Sequence, residues 1–427
     1  MDRSGAGPRR LPRKAVFRAA TPGGVTAPSE PEVAEWNIRE NDMSALNLPK
    51  PAWRTEEHDM LAESARAFLA KEFVPNLDRW SEEGVMDRGA WIKAAEAGLL
   101  SASIPEEYGG AGGDYSHEAV IAHEIAMAGA DSWGWAIHGP IVAPYILHYG
   151  TDEQKKTWLP KMATGELISA LAMTEPGAGS DVQGIRTKAE RSGNGWVLNG
   201  SKTFITNGQH ANMVVVAAKT DPSAGAKGTS LFVVETENAP GFRRGRKLKK
   251  LGLDWADTSE LFFDDMKLPA EALLGPEPNQ GFYQMMRALP QERLTIAGAA
   301  VGMMERALTV TIDYVKERGA FGKKIIDFQN TQFELADMKT EATMAKVFYE
   351  TCVGLHIEGK CDTVMASMAK YKLSDLQNTI VDRCLQLFGG YGFMDEYPIS
   401  RMYRDARIQR IYGGTNEIMK ILIARSL

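Results

Sequence analysis

The feature that most limits the possible folds is a change of hydrophobic period along the chain. Between about residue 56 and residue 162 the apolar residues recur at three- and four-residue spacing, as in HDMLAESARAFLAKEFV, which indicates amphipathic helices. From about residue 167 to residue 274 they alternate or form short β-rich runs, such as NMVVVAAKT and TSLFVVET, which are typical of strands. Long helical patterns return at residue 281. The order of periods predicts an α+β chain that begins helical, continues as a compact β module and ends as a helical bundle.

These changes of pattern divide the chain into four parts. We predict an unstructured extension over residues 1–50, an N-terminal helical domain over 51–166, a middle β-barrel or sandwich domain over 167–278 and a C-terminal helical domain over 279–427. In the last domain we expect helices over about 281–317, 329–357 and 364–388, and a final helix after Thr415. The glycine-rich stretch PEEYGGAGG is expected to interrupt the first helical domain.

The extension supports two interpretations. Residues 1 to about 29 hold six Arg and Lys against the single acid Asp2, with many Ala, Ser, Gly and Pro. This composition resembles an organelle transit peptide, which would imply the mitochondrial matrix. It also fits an overlong bacterial reading frame whose true start is Met43. We adopt the second interpretation, which implies a cytoplasmic protein.

Composition and missing motifs exclude several classes of protein. A net charge of -6 gives no basic face for nucleic acid, and no apolar run reaches the roughly 18 residues that span a bilayer. The three cysteines form no CxxC pair and the histidines show no ligand spacing, so we expect no metal. The chain has no GxGxxG after a strand and no GxxxxGK[ST], which argues against a Rossmann or P-loop nucleotide site.

Two segments of the β module combine small residues with hydroxyl groups. AMTEPGAGSD ends a strand in a loop where backbone N–H groups, Thr174 and Ser180 can approach a polar ligand, although an ordinary strand-exit turn has the same composition. TFITNG places Phe204 and Thr206 on one face of a strand, because alternate residues of a strand point the same way. An aromatic residue at this position fits either a packed core or a cofactor platform.

Three further segments lie at predicted helix ends. ERGAFGKKI closes a long helix with Arg318, which could clamp a phosphate or act only as a partner of the helix dipole. QLFGGYGFMDEYP has three glycines where a single one would cap a helix. In RIYGGTNEI, Gly413 and Gly414 precede Thr415, which can cap a helix whose free N–H groups face a phosphate. The ordinary interpretation of that stretch is a loop and a cap.

Together and in this order, the five segments resemble the acyl-CoA dehydrogenase family, and the resemblance extends over about residues 53–427. It implies an acyl-CoA dehydrogenase-like fold with an N-terminal helical domain, a middle β domain and a C-terminal four-helix bundle. It also implies a homotetramer with one FAD per subunit, an acyl-CoA substrate and electron-transfer flavoprotein as the electron acceptor.

The resemblance assigns roles to single residues. For FAD, it implies that the flavin ring contacts Met173, Thr174, Phe204 and Thr206, and that Gly179 and Ser180 lie between the flavin phosphate and acyl-CoA. Thr415 and Glu417 are implied to lie on the diphosphate and adenosine side of the same FAD. The FAD of a neighbouring subunit is implied to contact Arg318, Phe321, Gln329, Gln386, Gly389 and Gly390. For the substrate, it implies contacts from Ser180, Tyr283, Arg293, Tyr412, Gly413 and Gly414.

The chain departs from the family at the catalytic base. In most members a glutamate follows the tyrosine of the last segment, but here that position is Gly413. A branch that includes the long-chain and isovaleryl members carries its base on the long helix that opens the C-terminal domain, and there this chain has ALPQERLTIAG. The resemblance therefore points to Glu292.

The residue pattern supports Glu292 independently. At helical spacing it shares a face with apolar residues, and none of its three- or four-residue neighbours is cationic. A carboxylate on an apolar stripe is unfavourable unless its pKa is raised or a ligand needs it. Pairing with a cation from another helix is the structural alternative.

The predicted reaction is the FAD-dependent α,β-dehydrogenation of a long-chain fatty acyl-CoA to a trans-2-enoyl-CoA, the first step of fatty acid β-oxidation. The alternatives are a branched short-chain (isovaleryl-like) or other acyl-CoA substrate, an oxidase that uses oxygen, and a non-catalytic scaffold of the same fold.

Overall fold

The computed structural model describes residues 44–427. Residues 1–43, most of the predicted extension, lie outside the described residues, so both interpretations of that segment stay predictions.

The N-terminal part is helical, as predicted. Its helices are α1 (Glu56–Glu72), α2 (Leu77–Glu83), α3 (Arg88–Glu96), α4 (Tyr115–Ala128), a π-helical segment (Ile137–Val142), α5 (Ala143–Tyr149) and α6 (Asp152–Ala163). Side chains that accept backbone N–H groups begin several of them: Asp114 caps α4, and Thr151 forms a capping box with Gln154 in α6. The glycine-rich stretch between α3 and α4 contains only a short turn, Glu106–Tyr108, so the expected interruption is confirmed.

Seven strands form the sheet of the middle β domain: β1 (Ser169–Ala172), β2 (Lys188–Ser192), β3 (Gly195–Ile205), β4 (Met213–Lys219), β5 (Thr229–Glu235), β6 (Phe242–Lys247) and β7 (Ser259–Leu268). Their order is β1-β4-β2-β3-β7-β6, with β5 paired to β4. β1 and β2 run parallel to β4, and the other pairs are antiparallel.

The run NMVVVAAKT is apolar at nearly every position because β4 is buried on both faces. Met213 and Val215 point into a cluster shared with α5, α6 and the start of the long C-terminal helix. Val214 and Val216 point into a second cluster made by β3, β5 and β7. One face of the sheet therefore packs on helices, and this contact places the end of β1 beside the helical domains.

The C-terminal part consists of α7 (Gly281–Glu317), a short hairpin of β8 (Gly319–Ala320) and β9 (Lys323–Lys324), α8 (Gln329–Ile357), α9 (Thr363–Phe388), α10 (Pro398–Ala406) and α11 (Asn416–Ala424). The three long helices and α11 agree with the predicted ranges. The sequence interpretation missed α10, which buries Ile399, Met402 and Ala406 at helical spacing.

Two helices, α4 and α7, connect the N-terminal and C-terminal helical parts. α4 is buried on almost every side and packs between α1, α7 and α8, while α7 contacts α8, α9 and α10 along its 37 residues. Their apolar faces form the largest core cluster of the described residues. None of the helices over residues 44–427 is long and apolar enough to cross a membrane.

Candidate active site

Glu292 lies in the first half of α7, on the face that the sequence predicts to be apolar. Its side chain is only 6% exposed, and Oε1 accepts a 2.8 Å hydrogen bond from the hydroxyl of Tyr145. Burial raises the pKa of Glu292 to about 7, against the opposing effects of that hydrogen bond and of the charge on Arg293. A positioned carboxyl with a pKa near neutrality has the property required of a general base.

Sequence reasoning missed Tyr145. It lies on α5, 147 positions before Glu292, and its spacing indicates only a core residue of an amphipathic helix. Among the described residues Glu292 forms no salt bridge with a cation from another helix; its hydrogen-bond partner is this neutral hydroxyl. Burial, and to a smaller extent the charge of Glu292, raises the pKa of Tyr145. Tyr145 is therefore a protonated donor at all ordinary pH values.

Gly413 packs against the turn of α7 that follows Glu292. It has φ +64°, and a Cβ built on it would lie 2.3 Å from Cδ1 of Ile296. Ile296 is four residues after Glu292, so both lie on one face of α7. A side chain at position 413 would be strained by the left-handed backbone and would displace the end of the Ile296 side chain, which gives a conformational reason for the glycine at this position.

Arg293 points from α7 toward α9. It is 3% exposed, and Nη1 donates to the hydroxyl of Ser367 at 3.3 Å. Its Nε has no hydrogen-bond partner among the described residues, and burial lowers the pKa of Arg293 although Glu292 opposes this. The guanidinium thus places a buried positive charge close to Glu292 without pairing to it directly.

Tyr412 and Tyr283, both predicted to contact substrate, are less closely connected to Glu292. Tyr412 is 38% exposed as a residue, but burial of its hydroxyl, with Asp131 and Asp405 nearby, raises the pKa of Tyr412. Tyr283 is in the first turn of α7 and is 49% exposed. Within the described residues neither tyrosine hydrogen-bonds to Glu292.

A buried ion pair holds the loop after β1. Glu175 accepts Lys202 Nζ at 2.9 Å and the backbone N–H groups of Arg186 and Thr187. Lys202 is 1% exposed and also donates to the carbonyl of Met173 at 2.9 Å. Sequence reasoning missed this pair, although a lysine among the apolar positions of β3 was a signal for it.

The ion pair places the predicted ligand-binding residues of this loop. Met173 packs on the apolar cluster that contains Tyr145, which brings the loop toward Glu292. The carbonyl of Thr174 accepts the N–H of Thr203 at 2.9 Å. Gly179 and Ser180 are exposed, and a Cβ on Gly179 would meet nothing within 4 Å, so a ligand can approach the backbone there.

Phe204 and Thr206 do not share a regular strand face, so that part of the prediction is wrong. β3 ends at Ile205, its register with β7 shifts between Lys202 and Ile205, and Phe204 has a left-handed φ of 61°. A residue in this conformation interrupts the alternation on which the prediction depended. It leaves the ring of Phe204 68% exposed, next to the loop after β1.

The six residues predicted to meet a neighbouring subunit's FAD lie at the far end of α7. Arg318 caps α7, with its guanidinium 5.3 Å from the ring centre of Tyr391 in the turn Gly389–Phe393. Phe321 is 95% exposed, and a Cβ on Gly389 or Gly390 would meet nothing within 4 Å. Gln329 begins α8 and Gln386 is in the last turn of α9. Arg318 follows Glu292 by 26 residues, or about 39 Å of helix at 1.5 Å each, so this set is separate from the site around Glu292.

Thr415 is the N-cap of α11. Its hydroxyl accepts the N–H of Ile418 at 3.4 Å, and Glu417 lies in the first turn. The predicted cap is therefore confirmed. Glu417 already places a negative charge beside the free N–H groups, as is favourable at a helix N-terminus.

One cluster among the described residues could hold a metal ion. Ligand atoms of His58, Asp114 and His117 lie within 4.8 Å of one another. Nδ1 of His58 receives the N–H of Thr55, and Nδ1 of His117 receives that of Asp114. Both rings therefore complete helix caps, and we assign no metal to them.

Comparison with known proteins connects this site to a family. The chain matches the family models of the acyl-CoA dehydrogenase N-terminal domain over residues 55–166, middle domain over 170–266 and C-terminal domain over 279–427. The mitochondrial long-chain specific acyl-CoA dehydrogenase of Rattus norvegicus is 49% identical over 375 residues, 87% of each chain.

Solved structures show the same fold. An acyl-CoA dehydrogenase from Geobacillus kaustophilus has a TM-score of 0.86 and 47% identity, covering 88% of this chain and 99% of that one. A glutaryl-CoA dehydrogenase from Mycobacterium smegmatis, solved in complex with FADH2, has a TM-score of 0.81 and 29% identity, covering 87% of this chain and 95% of that one. The chain therefore belongs to the acyl-CoA dehydrogenase family of FAD-dependent oxidoreductases, with a helical N-terminal, a β middle and a helical C-terminal domain.

Proposed function

We propose that the protein dehydrogenates a long-chain fatty acyl-CoA between its α- and β-carbons, giving a trans-2-enoyl-CoA in the first step of fatty acid β-oxidation, with Glu292 as the base. The observation that carries the proposal is the buried Glu292 carboxyl, with a pKa of about 7 and a tyrosine donor at 2.8 Å. No other acid on the same turn of α7 competes for the role. We also propose that the three domains span residues 51–166, 167–278 and 279–427.

Glu292 would take the α-proton in its ionised form. A pKa of about 7 leaves about half of the carboxyl groups ionised at pH 7, while the proton affinity of the base stays high. Tyr145 holds one carboxylate oxygen and leaves the second free to face the substrate. The α-proton is weakly acidic, so the thioester carbonyl needs a hydrogen-bond donor. The family resemblance implies two donors, a ribityl hydroxyl of FAD and the backbone N–H of Gly413, which packs beside the turn that follows Glu292.

The residues around the loop after β1 fit FAD. An exposed aromatic ring at Phe204 and the open backbone at Gly179 suit a planar group joined to a phosphate. We assign the flavin ring to Met173, Thr174, Phe204 and Thr206, the phosphate region to Gly179 and Ser180, and the diphosphate and adenosine side to Thr415 and Glu417. The β-hydride of the substrate would pass to the bound FAD.

The distant set would serve a neighbouring subunit. Because Arg318 lies about 39 Å of helix from Glu292, we assign Arg318, Phe321, Gln329, Gln386, Gly389 and Gly390 to the FAD of a second copy in a homotetramer. Exposed Phe321 and the open glycines at 389 and 390 favour a surface that a second chain or its cofactor covers.

The substrate would be held by Ser180, Tyr283, Arg293, Tyr412, Gly413 and Gly414. A long straight acyl chain is favoured by the segments LPQERL and IYGGTNEIMKILIAR and by the identity of 49% to the rat long-chain enzyme. Electrons would leave to electron-transfer flavoprotein. The cellular location follows from residues 1–42: a bacterial cytoplasm if Met43 is the start, or a mitochondrial matrix if they are a transit peptide.

The decisive experiment is anaerobic bleaching of the bound flavin by palmitoyl-CoA in the wild type, Glu292→Gln and Glu118→Gln. Glu118 is a matched control, because it is 1% exposed and burial raises its pKa to about 7. Its carboxylate accepts a hydrogen bond from Ser103 and has no role in the proposed reaction. We expect fast reduction in the wild type and in Glu118→Gln, and almost none in Glu292→Gln with FAD retained.

Other outcomes would redirect the proposal. Equal bleaching in Glu292→Gln would make Glu292 structural. Faster turnover of isovaleryl-CoA than of palmitoyl-CoA would favour a branched short-chain substrate. Rapid peroxide formation without an acceptor protein would identify an oxidase.

A further inference from the structure

We propose that Lys370 is a positioning residue that fixes residues 411–415, here called the glycine loop, against the turn of α7 that follows Glu292. This inference rests on the proposed function, because its catalytic consequence depends on the role of Gly413 in substrate activation. Lys370 is outside every predicted set of site residues.

Lys370 reaches the loop from the first third of α9. Its side chain is completely buried, with a relative exposure of 0%. Nζ donates to the carbonyl of Gly414 at 2.7 Å and to Oδ1 of Asn416 at 2.9 Å. Gly414 lies in the glycine loop and Asn416 is the first residue of α11, so one ammonium group connects the loop and the start of α11 to the bundle.

The charge of Lys370 lies in an unfavourable, buried environment. Among the described residues Lys370 forms no salt bridge, and a buried ammonium without a carboxylate partner is unfavourable. Burial, together with the nearby charge of Arg293, lowers the pKa of Lys370 to about 8, while Asp375 and Glu417 act in the opposite direction. We therefore infer the role of this ammonium group from the two oxygen atoms that it holds, at Gly414 and Asn416.

The loop also needs to be held. Gly413 and Gly414 have φ of +64° and +92°, a conformation that glycine adopts readily and also leaves readily because it lacks a Cβ. Asn416 gives a second anchor: its Nδ2 donates to Ser374 Oγ at 3.0 Å and to Asp375 Oδ1 at 2.9 Å. Together these contacts give the two glycines one arrangement.

The arrangement matters because Gly413 packs against Ile296, one turn after Glu292. In the proposed function the N–H of Gly413 polarises the thioester carbonyl while Glu292 removes the α-proton. Both groups must therefore keep their spacing to within a fraction of an ångström, since a misplacement of about 1 Å can slow a reaction about a hundredfold. Lys370 would maintain that spacing from the loop side.

The test uses the FAD-bound protein and the variant Lys370→Met, which keeps an unbranched stem and removes the donors. The matched control is Gln377→Met: Gln377 is equally buried on α9, but its amide contacts Met303 instead of the loop. Amide hydrogen exchange over residues 411–416 is measured by mass spectrometry. The limiting rate of flavin reduction and the half-saturating concentration are measured with palmitoyl-CoA.

We expect Lys370→Met to speed amide exchange in the loop by about ten- to a hundredfold, because the loss of one charge-assisted hydrogen bond shifts the opening equilibrium by about that factor. The limiting reduction rate should fall by about tenfold or more, with a smaller change in the half-saturating concentration. Gln377→Met should leave both loop exchange and reduction rate near the wild-type values. If Lys370→Met does not fold, Asn416→Ala removes one of the two acceptors and should shift loop exchange in the same direction.

Unchanged loop exchange in Lys370→Met would overturn the inference, and so would fast exchange with a normal reduction rate. Equal slowing by Gln377→Met would mean that Lys370 acts only through general stability. A wild type that palmitoyl-CoA does not bleach would refute the proposed function instead, while the exchange data would still decide whether Lys370 holds the loop.

Discussion

Replacing Tyr145 with phenylalanine tests how the fold sets the basicity of Glu292. The substitution keeps the buried ring and removes the hydroxyl that donates to Glu292 at 2.8 Å. That hydrogen bond lowers the pKa of Glu292 against the effect of burial. Without it the pKa must rise above about 7, so less of the carboxyl is ionised and able to act as a base at neutral pH.

The size of the effect follows from the contact. A hydrogen bond to a charged group is worth about 1.5–3 kcal/mol, and one pKa unit corresponds to about 1.4 kcal/mol. The pKa of Glu292 should therefore rise by about one to two units. At pH 7 the ionised fraction would fall from about a half to between about a tenth and a hundredth, and kcat/KM should fall about five- to fiftyfold. Activity should recover as pH rises through 8 to 9, because ionisation of the free enzyme is restored.

The assay is the pH profile of kcat/KM between pH 6 and about pH 9.5 for the wild type, Tyr145→Phe and Tyr149→Phe, since this profile reports pKa values of the free enzyme. Tyr149 is the control because its ring centre lies 6.0 Å from that of Tyr145 and, within the described residues, it does not hydrogen-bond to Glu292. Tyr149→Phe should leave the acidic limb in place. An acidic limb in Tyr145→Phe at or below the wild-type position would refute the reasoning.

Two further substitutions test the loops. Gly413→Ala should slow flavin reduction and destabilise the protein by about 1–3 kcal/mol, because a left-handed non-glycine residue is strained and its Cβ would lie 2.3 Å from Cδ1 of Ile296. Urea denaturation measures the loss of stability, and stopped-flow bleaching measures the reduction rate. An unchanged reduction rate would contradict the proposed site. Phe204→Ala should weaken FAD binding and change apoprotein stability by less than about 0.5 kcal/mol, because surface substitutions rarely do more and the ring is 68% exposed. Leu251→Ala, at a side chain 66% exposed, is the control in the same FAD titration and should bind FAD like the wild type.

Local patterns were sufficient for most of the architecture. The three long C-terminal helices end where their periodicity ends, because a helix that buries one face needs apolar residues at regular spacing along it. The caps at Arg318 and Thr415 were also predictable, since a cap depends on residues close in sequence. The same local logic placed Glu292 on an apolar face of α7 and so indicated a carboxyl with a raised pKa.

Local reasoning was less reliable where tertiary contacts override periodicity. The alternation that placed Phe204 and Thr206 on one face is interrupted by a shift in pairing with β7, and α10 is short enough to be obscured by the loops around it. β4 is apolar throughout because both of its faces are buried. One face packs on helices, and the other contacts apolar residues of β3, β5 and β7. Periodicity cannot describe that arrangement, because it assumes one buried and one exposed face.

The sequence alone determined the order of the three domains and the helix ends that carry glycines and caps, and together with the family resemblance it indicated the carboxyl that we propose as the base. Only the tertiary structure decided which groups surround that carboxyl. Tyr145 donates to it from 147 positions away, Ile296 lies against Gly413, and Lys370 holds the next glycine from another helix. Spacing along a chain records what one helix or strand buries, whereas the pKa and position of a catalytic group depend on contacts that form only when distant elements pack together.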